Sequence, residues 1–297
     1  MKVISISKKK FQELEPLVLS RNVLNTEAKM YDFKYRNEEK ILKSLYLLDG
    51  AVFANKLYTI EMLDSNKDYL PTSFLIPDSL CAVNHDIVGF TIPKFNGINL
   101  TDVLNDKKLD IKEHIYYLKK IGEILYQLQN IRTYTPLSDI YINDLHASNF
   151  LADLHKRELK VIDLDSCKIA DNKSFPSKYL YTCSILNYSN KYKTIDSNGI
   201  EYIIPDSNTD LFCYIMEILN YLYKDKLSDL KINEFYEYLN YLESIGINKE
   251  LINIFSKVVN NCDNENPIYL LDSLTYEQVG RASSVVYKKV KSKNKNI

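Results

Sequence analysis

Between Tyr141 and Ser166 the sequence sets carboxylates and an amide at the edges of short apolar runs. Tyr141-Ile-Asn-Asp144-Leu-His146-Ala-Ser-Asn149-Phe-Leu comes first, and Leu159-Lys-Val-Ile-Asp163-Leu-Asp165-Ser follows. Ile142 precedes Asp144, Phe150 and Leu151 follow Asn149, and Val161-Ile162 lead straight into Asp163. Apolar strands would hold such groups still, while their oxygens carry the charge or the lone pairs. Fixed hard oxygen donors of this kind are what a divalent cation bound to phosphates requires. The plain structural reading of the same residues is an acidic loop with an Asx turn and a buried strand end.

The elements that must position these groups are read from periodicity. Residues 2–7 alternate as a short strand, and Ser20–Phe33 suggests two short strands around a turn, the second carrying Lys29. Apolar residues at 41, 42, 45 and 48 predict a helix over Glu38–Leu48, and those at 53, 57, 60 and 63 predict another over Val52–Leu63. Leu70–Pro77 and Ile87–Phe95 read as an antiparallel pair, with Pro93 and Gly97 punctuating the chain after it. A short helix starts near Leu100. Ile111, Ile115, Leu118, Ile121, Leu125, Leu128 and Ile131 then form the stripe of a long helix running into the polar constellation. Beyond it, Asp171–Asn198 is polar and irregular, a length usually reserved for function or mobility. Ser207-Asn-Thr-Asp210 offers N-cap chemistry to an apolar helix. Two amphipathic helices occupy residues 230–260, a final one runs from about Thr275 through Val290, and Lys288–Ile297 is a basic run expected to be disordered.

Asp144-x-x-x-x-Asn149, followed 14 residues later by Asp163, resembles the catalytic loop and metal-binding segment of the protein-kinase-like superfamily. In that family the two motifs read H-R-D-x-x-x-x-N and D-F-G. Asp144-Leu-His146 and Asp163-Leu-Asp165 look closer to the aminoglycoside- and choline-kinase-like branches, or to divergent bacterial and phage kinases, than to eukaryotic protein kinases. A long helix immediately before the loop agrees with the family's order.

The resemblance implies an α+β, bilobal protein-kinase-like fold. Residues 1–95 would form a small β-rich lobe with added helices, 96–287 a helical lobe with the catalytic loop, and 288–297 a tail. It implies ATP and Mg²⁺ as cofactors. Asp144 would accept the proton of an acceptor hydroxyl, and His146 would touch the transferred phosphate or hold the loop. Asn149 and Asp163 would bind the metal, with Asp165 a further ligand or a brace. Lys29, with Lys34 as fallback, would orient the α/β-phosphates, paired with either Glu39 or Glu61. Residues 93–97 would be the adenine-binding hinge; Pro93 lacks an N–H, so Lys94, Phe95 or Asn96 would donate. Asp210 resembles the aspartate that anchors the catalytic-loop backbone, although capping alone would also explain it. One departure is plain: the first glycine is Gly50, so no glycine-rich phosphate loop lies upstream.

Bulk properties bound the alternatives. The 297 residues are 45% hydrophobic and 26% charged, with a net charge of −1, so no overall field favours nucleic acid or a membrane surface. Cysteines at 81, 167, 183, 213 and 262 are far apart and odd in number, which favours reduced thiols in a cytoplasmic setting over a disulfide framework or zinc site. No apolar window is long enough for a membrane span. The first expectation is therefore an ATP-dependent kinase whose acceptor is a protein Ser/Thr hydroxyl, with a small-molecule hydroxyl of the aminoglycoside or choline type as the alternative acceptor. A nucleotide-binding pseudokinase acting as an interaction module is the second. A helical interaction protein with a coincidental motif is the third; it predicts no cleft where lysine and acids converge.

Overall fold

The computed structural model describes residues 1–17, 28–45, 48, 50–174, 193–195, 197, 199, 201–223, 227, 230–259 and 264–293. The first of the two strands expected in Ser20–Phe33 and most of the Asp171–Asn198 segment lie outside the described residues.

The N-terminal part is built on a five-stranded sheet ordered β1-β4-β5-β3-β2. Its strands are β1 (Lys2–Ile6), β2 (Ala28–Tyr35), β3 (Glu38–Leu45), β4 (Ser79–Val83) and β5 (Asp86–Pro93). β1 runs parallel to β4 and the other pairs are antiparallel. Two-residue turns close both hairpins: Arg36-Asn37 (φ 48° and 68°) and Asn84-His85 (φ 50° and 77°). Positive φ at both positions matches the twist of the flanking strands, and asparagine tolerates it better than most side chains.

Two sequence expectations fail here. Glu38–Leu48 is predicted helical, yet Glu38–Leu45 is the strand β3. A central strand buried on both faces loses its period-two signature, and its clustered apolar residues then mimic a helix. Leu70–Pro77 is predicted to pair with β5, but the strand that does so is Ser79–Val83. The earlier stretch instead crosses to the other lobe, where Leu75 N–H donates to Val161 C=O (3.0 Å) and Val161 N–H to Ser73 C=O (2.8 Å).

Each face of the sheet has its own core. Ile4, Ile6, Tyr31, Phe33, Leu42 and Cys81 pack on one face. Ala28, Leu45, Leu80, Phe90 and Ile92 pack on the other, against Ile60 of helix α2 (Gly50–Ser65); the preceding α1 (Lys8–Gln12) is one short turn. α2 buries Lys56, Thr59, Ile60 and Leu63, a stripe at helical spacing.

The larger part holds a second, three-stranded sheet of β6 (Ile98–Asn99), β7 (Phe150–Asp153) and β8 (Glu158–Val161), ordered β6-β7-β8. Around it lie α3 (Leu100–Asn105), α4 (Ile111–Tyr134), α5 (Ser207–Tyr223), α6 (Ile232–Ser244), α7 (Lys249–Val259) and α8 (Tyr276–Lys293). α4 is the expected long helix, capped by the Asp110 side chain on Lys112 N–H (2.9 Å). α4 and α5 approach closely at Gly122, where a Cβ would stand 2.9 Å from the Tyr214 hydroxyl; that hydroxyl donates to Leu118 C=O (2.8 Å). α8 continues to Lys293, so the basic run from Lys288 starts inside a helix, and 294–297 lie outside the described residues. Among the described residues no helix is long and apolar enough to cross a membrane.

Candidate active site

The loop between α4 and β7 is held from behind by one carboxylate. Asp210 of α5 accepts from the backbone N–H of Ile142 (2.9 Å) and of Asn143 (2.8 Å). Capping of α5 falls to Asp206, which accepts from Asn208 N–H (2.8 Å), so Asp210 is left for the anchor. Burial pushes the Asp210 carboxyl up, and the two backbone N–H donors oppose that shift. Asn143 takes a left-handed conformation (φ 65°), and its side-chain amide donates to Ser166 C=O (3.1 Å). From the other side, Asn99 donates to Ser148 C=O (2.8 Å).

Within the loop, the Asn149 side-chain nitrogen donates to Asp144, to the backbone carbonyl (2.9 Å) and to Oδ2 (3.1 Å). That orientation points the nitrogen at the acid and leaves the amide oxygen as the metal-type donor. His146 Nε2 lies 3.4 Å from Asp144 Oδ2. Ile162 N–H donates to Asn149 C=O (2.9 Å), which sets Asp163 beside the loop. Tyr141 and Lys168 exchange both backbone hydrogen bonds (3.0 and 2.9 Å), closing the stretch into one unit. Asp163 itself is left-handed (φ 63°), a conformation that turns its side chain at the end of β8.

The lysine that reaches this unit is Lys43 of β3. Its Nζ pairs with Asp163 and lies 2.6 Å from Asp165 Oδ1. Face parity explains the choice. Lys43 shares its face with Leu45, which packs toward α2, and its Nζ sits over the Phe90 ring (5.7 Å). Lys29 is opposite Ser44 in the β2–β3 register, on the face of Leu42 and away from α2; it is exposed. Burial alone would lower the Lys43 pKa, but the attraction of Asp163 and Asp165 outweighs it and holds the ammonium above its usual range.

A second buried lysine comes from α2. Lys56 Nζ lies 2.9 Å from Asp165 Oδ2 and 3.3 Å from Ser166 Oγ. Asp165 is thus bridged by two ammonium groups, one on each oxygen. Burial would raise its pKa, but Lys43 and Lys56 together hold it well below the usual carboxylate range. Asp163 goes the other way: burial raises it, with Lys43 opposing.

The structure thus joins Asp144, His146 and Asn149 within the loop and Asp163 and Asp165 through Lys43 beside it, and leaves the expected Lys29 on the other sheet face. Neither expected glutamate joins them. Glu39 is an exposed residue of β3, not of a helix, and Glu61 is exposed on α2, off the stripe that carries Lys56. Asp165 is engaged by lysines through both oxygens, the contacts of a brace. At residues 93–97, Lys94 N–H is taken by Glu39 C=O (3.3 Å) and its ammonium by Asp32 (2.7 Å). Phe95 folds over Gly97, where a Cβ would meet its ring at 2.6 Å. Lys43 escaped the sequence reading because its strand looked helical. Lys56 had a signal: a lysine at the head of the stripe 56, 59, 60, 63.

No protein-family model and no curated protein sequence matches the chain. Among solved structures it is similar to an apo pseudokinase, with a TM-score of 0.51 at 12% identity over 94% of this chain and 95% of that chain. At such identity the likeness speaks for the fold alone: the chain has a bilobal protein-kinase-like fold.

Proposed function

We propose that this protein is an ATP-dependent phosphotransferase that moves the γ-phosphate to a hydroxyl acceptor. The observation that carries the reading is the junction between the lobes. A buried strand lysine, Lys43, meets Asp163 directly beside the loop that carries Asp144 and Asn149. In phosphoryl transfer the protein supplies positioning and charge more than covalent chemistry, and these residue types suit that work. The Asn149 amide oxygen and the Asp163 carboxylate are hard donors that would share Mg²⁺ with phosphate oxygens, the usual manner of Mg²⁺ binding. Among the described residues no cluster of three or more His, Cys, Asp and Glu side chains could form an all-protein metal cage. Mg²⁺, when bound, would neutralise phosphate charge. Lys43 would orient the phosphates, Asp144 would accept the acceptor's proton, and His146, next to Asp144, would hold that carboxylate or touch the phosphate. With the N–H of Lys94 already engaged, Phe95 and Asn96 are the hinge donors for adenine.

The Asp210 anchor favours a protein hydroxyl as acceptor, whereas the Asp144-Leu-His146 core favours a small-molecule hydroxyl of the aminoglycoside or choline type. A pseudokinase is the second reading. It is favoured by the pairing site of α2 holding a lysine, Lys56, while neither Glu39 nor Glu61 meets Lys43. Incubation with γ-labelled ATP, Mg²⁺ and a host lysate separates these readings by where label appears, on protein or on small molecules. Asp144→Asn is expected to abolish transfer while ATP still binds. Wild-type protein that binds Mg-ATP but labels nothing, itself included, makes the protein a pseudokinase; absence of ATP binding refutes both readings.

A further inference from the structure

The buried stripe of α2 carries a cation, Lys56, where the expected pairing needs an acid. Lys56 is buried, as are Lys43 and Asp165. Together with Asp163 they form a cluster of two ammonium and two carboxylate groups, chained in the order Asp163, Lys43, Asp165, Lys56. Among the described residues, the formal charges of these four groups sum to zero. α2 is not free to carry Lys56 away. Asn55 clamps the Lys173 backbone through both its N–H (2.8 Å) and its C=O (2.7 Å), and Asn172 donates to Thr59 Oγ1 (2.6 Å). Lys56 is therefore fixed against Asp165 by the helix that bears it.

This has a consequence for Lys43. With Lys56 absent, Lys43 would be, among the described residues, the one ammonium paired with both the half-buried Asp163 and the buried Asp165. A buried cation in that position is held strongly, because leaving either carboxylate unpaired in a low-dielectric site costs more than the same step in water. It would also face incoming phosphates with an uncompensated negative charge at its side. With Lys56 in place, Asp165 stays neutralised when Lys43 turns to another anion.

We propose that Lys56 is a positioning residue for the nucleotide: by neutralising Asp165 from α2, it releases Lys43 to the phosphates. Asp165, braced by Lys56, takes the place of the helix acid as the holder of Lys43. The inference rests on the nucleotide-binding reading above and goes beyond it in naming how a lysine on α2 serves that site.

The test is ATP binding to the full chain by titration calorimetry, with Mg²⁺ present, for wild type, Lys56→Met, Asp165→Asn and the double variant. Lys56→Met is expected to weaken binding about tenfold or more, the size of one uncompensated charge near the phosphates at an intermediate dielectric. Adding Asp165→Asn removes that charge while keeping an amide oxygen beside Lys43, so the double variant is expected to bind at least about fivefold tighter than Lys56→Met. A merely structural role predicts the opposite order, because the second substitution removes one more buried interaction. If Lys56→Met does not fold, the double variant, which buries no unpaired charge at Asp165, is compared with wild type; a loss of tenfold or more in that folded protein overturns the proposal. So does Lys56→Met binding within twofold of wild type, or a double variant no tighter than the single. Failure of wild type itself to bind ATP refutes the function reading, and this one with it.

Discussion

Removing the Asp210 carboxylate would strip two backbone N–H groups of their acceptor at once. Asp210, Ile142 and Asn143 are all buried, so water cannot replace it. An orphaned buried donor costs roughly 1–3 kcal/mol, and two of them roughly 2–6 kcal/mol. Asn143, released from φ 65°, would return about 1 kcal/mol of left-handed strain. Asp210→Ala is therefore expected to lower unfolding stability by about 1–5 kcal/mol, read by urea denaturation with an unchanged m-value. Asp210→Asn keeps one acceptor oxygen and turns its NH₂ toward the other donor, so its loss falls between zero and that of alanine. The carboxyl's folded pKa is raised above 3.8 by burial. Its protonated form is thus favoured in the fold, its contribution is greatest at acid pH, and the wild-type advantage over Asp210→Asn shrinks as pH rises past 3.8. Asp144 follows Asn143 directly, so a loop displaced by about 1 Å would also cost phosphotransfer about a hundredfold. An Asp210→Ala protein less than about 1 kcal/mol destabilised would refute the anchoring argument.

Other outcomes follow from the same geometry. Lys43→Met is expected to weaken ATP binding by more than about tenfold, whereas Lys29→Met, on the opposite sheet face, leaves it within about twofold; paired calorimetric titrations decide, and the reverse result refutes the assignment. Gly89→Ala places a Cβ 2.0 Å from the Lys43 carbonyl oxygen, so β3 must move; a loss of roughly 1–3 kcal/mol in denaturation, with weakened ATP binding, is expected. Burial raises the Cys81 thiol to about 11, so at pH 8 only about one molecule in a thousand carries the thiolate. Alkylation followed by mass spectrometry should leave Cys81, Cys167 and Cys213, all buried, unlabelled in native protein and label them after unfolding.

Much of the larger lobe was legible because its signals are local. The stripe from Ile111 to Ile131 fits one helix face, and α4 spans Ile111–Tyr134. The Asp144, Asn149 and Asp163 spacing lies within one loop and strand end: Asn149 donates to Asp144, and the Ile162 N–H on Asn149 C=O sets the chain entering Asp163 beside them. Asp210 was readable as an acid at the head of an apolar helix; that Asp206 does the capping, which frees Asp210, was not.

In the smaller lobe local pattern misled. β3 is buried on both faces, so Ile41, Leu42 and Leu45 satisfied a helical template as well as a strand. That error hid Lys43 and sent the lysine to β2, where parity points Lys29 away from α2.

By itself the sequence determined the order and chemistry of the catalytic-type loop, since those residues lie within a few turns of one another. Only the tertiary structure decided which charges meet across the lobes. Lys43 pairs with Asp163 120 positions away, and Lys56 with Asp165 109 positions away. Such pairings are set by strand register, face parity and the seating of α2, and by the cost of burying a charge without a partner. None of these has a period in the chain.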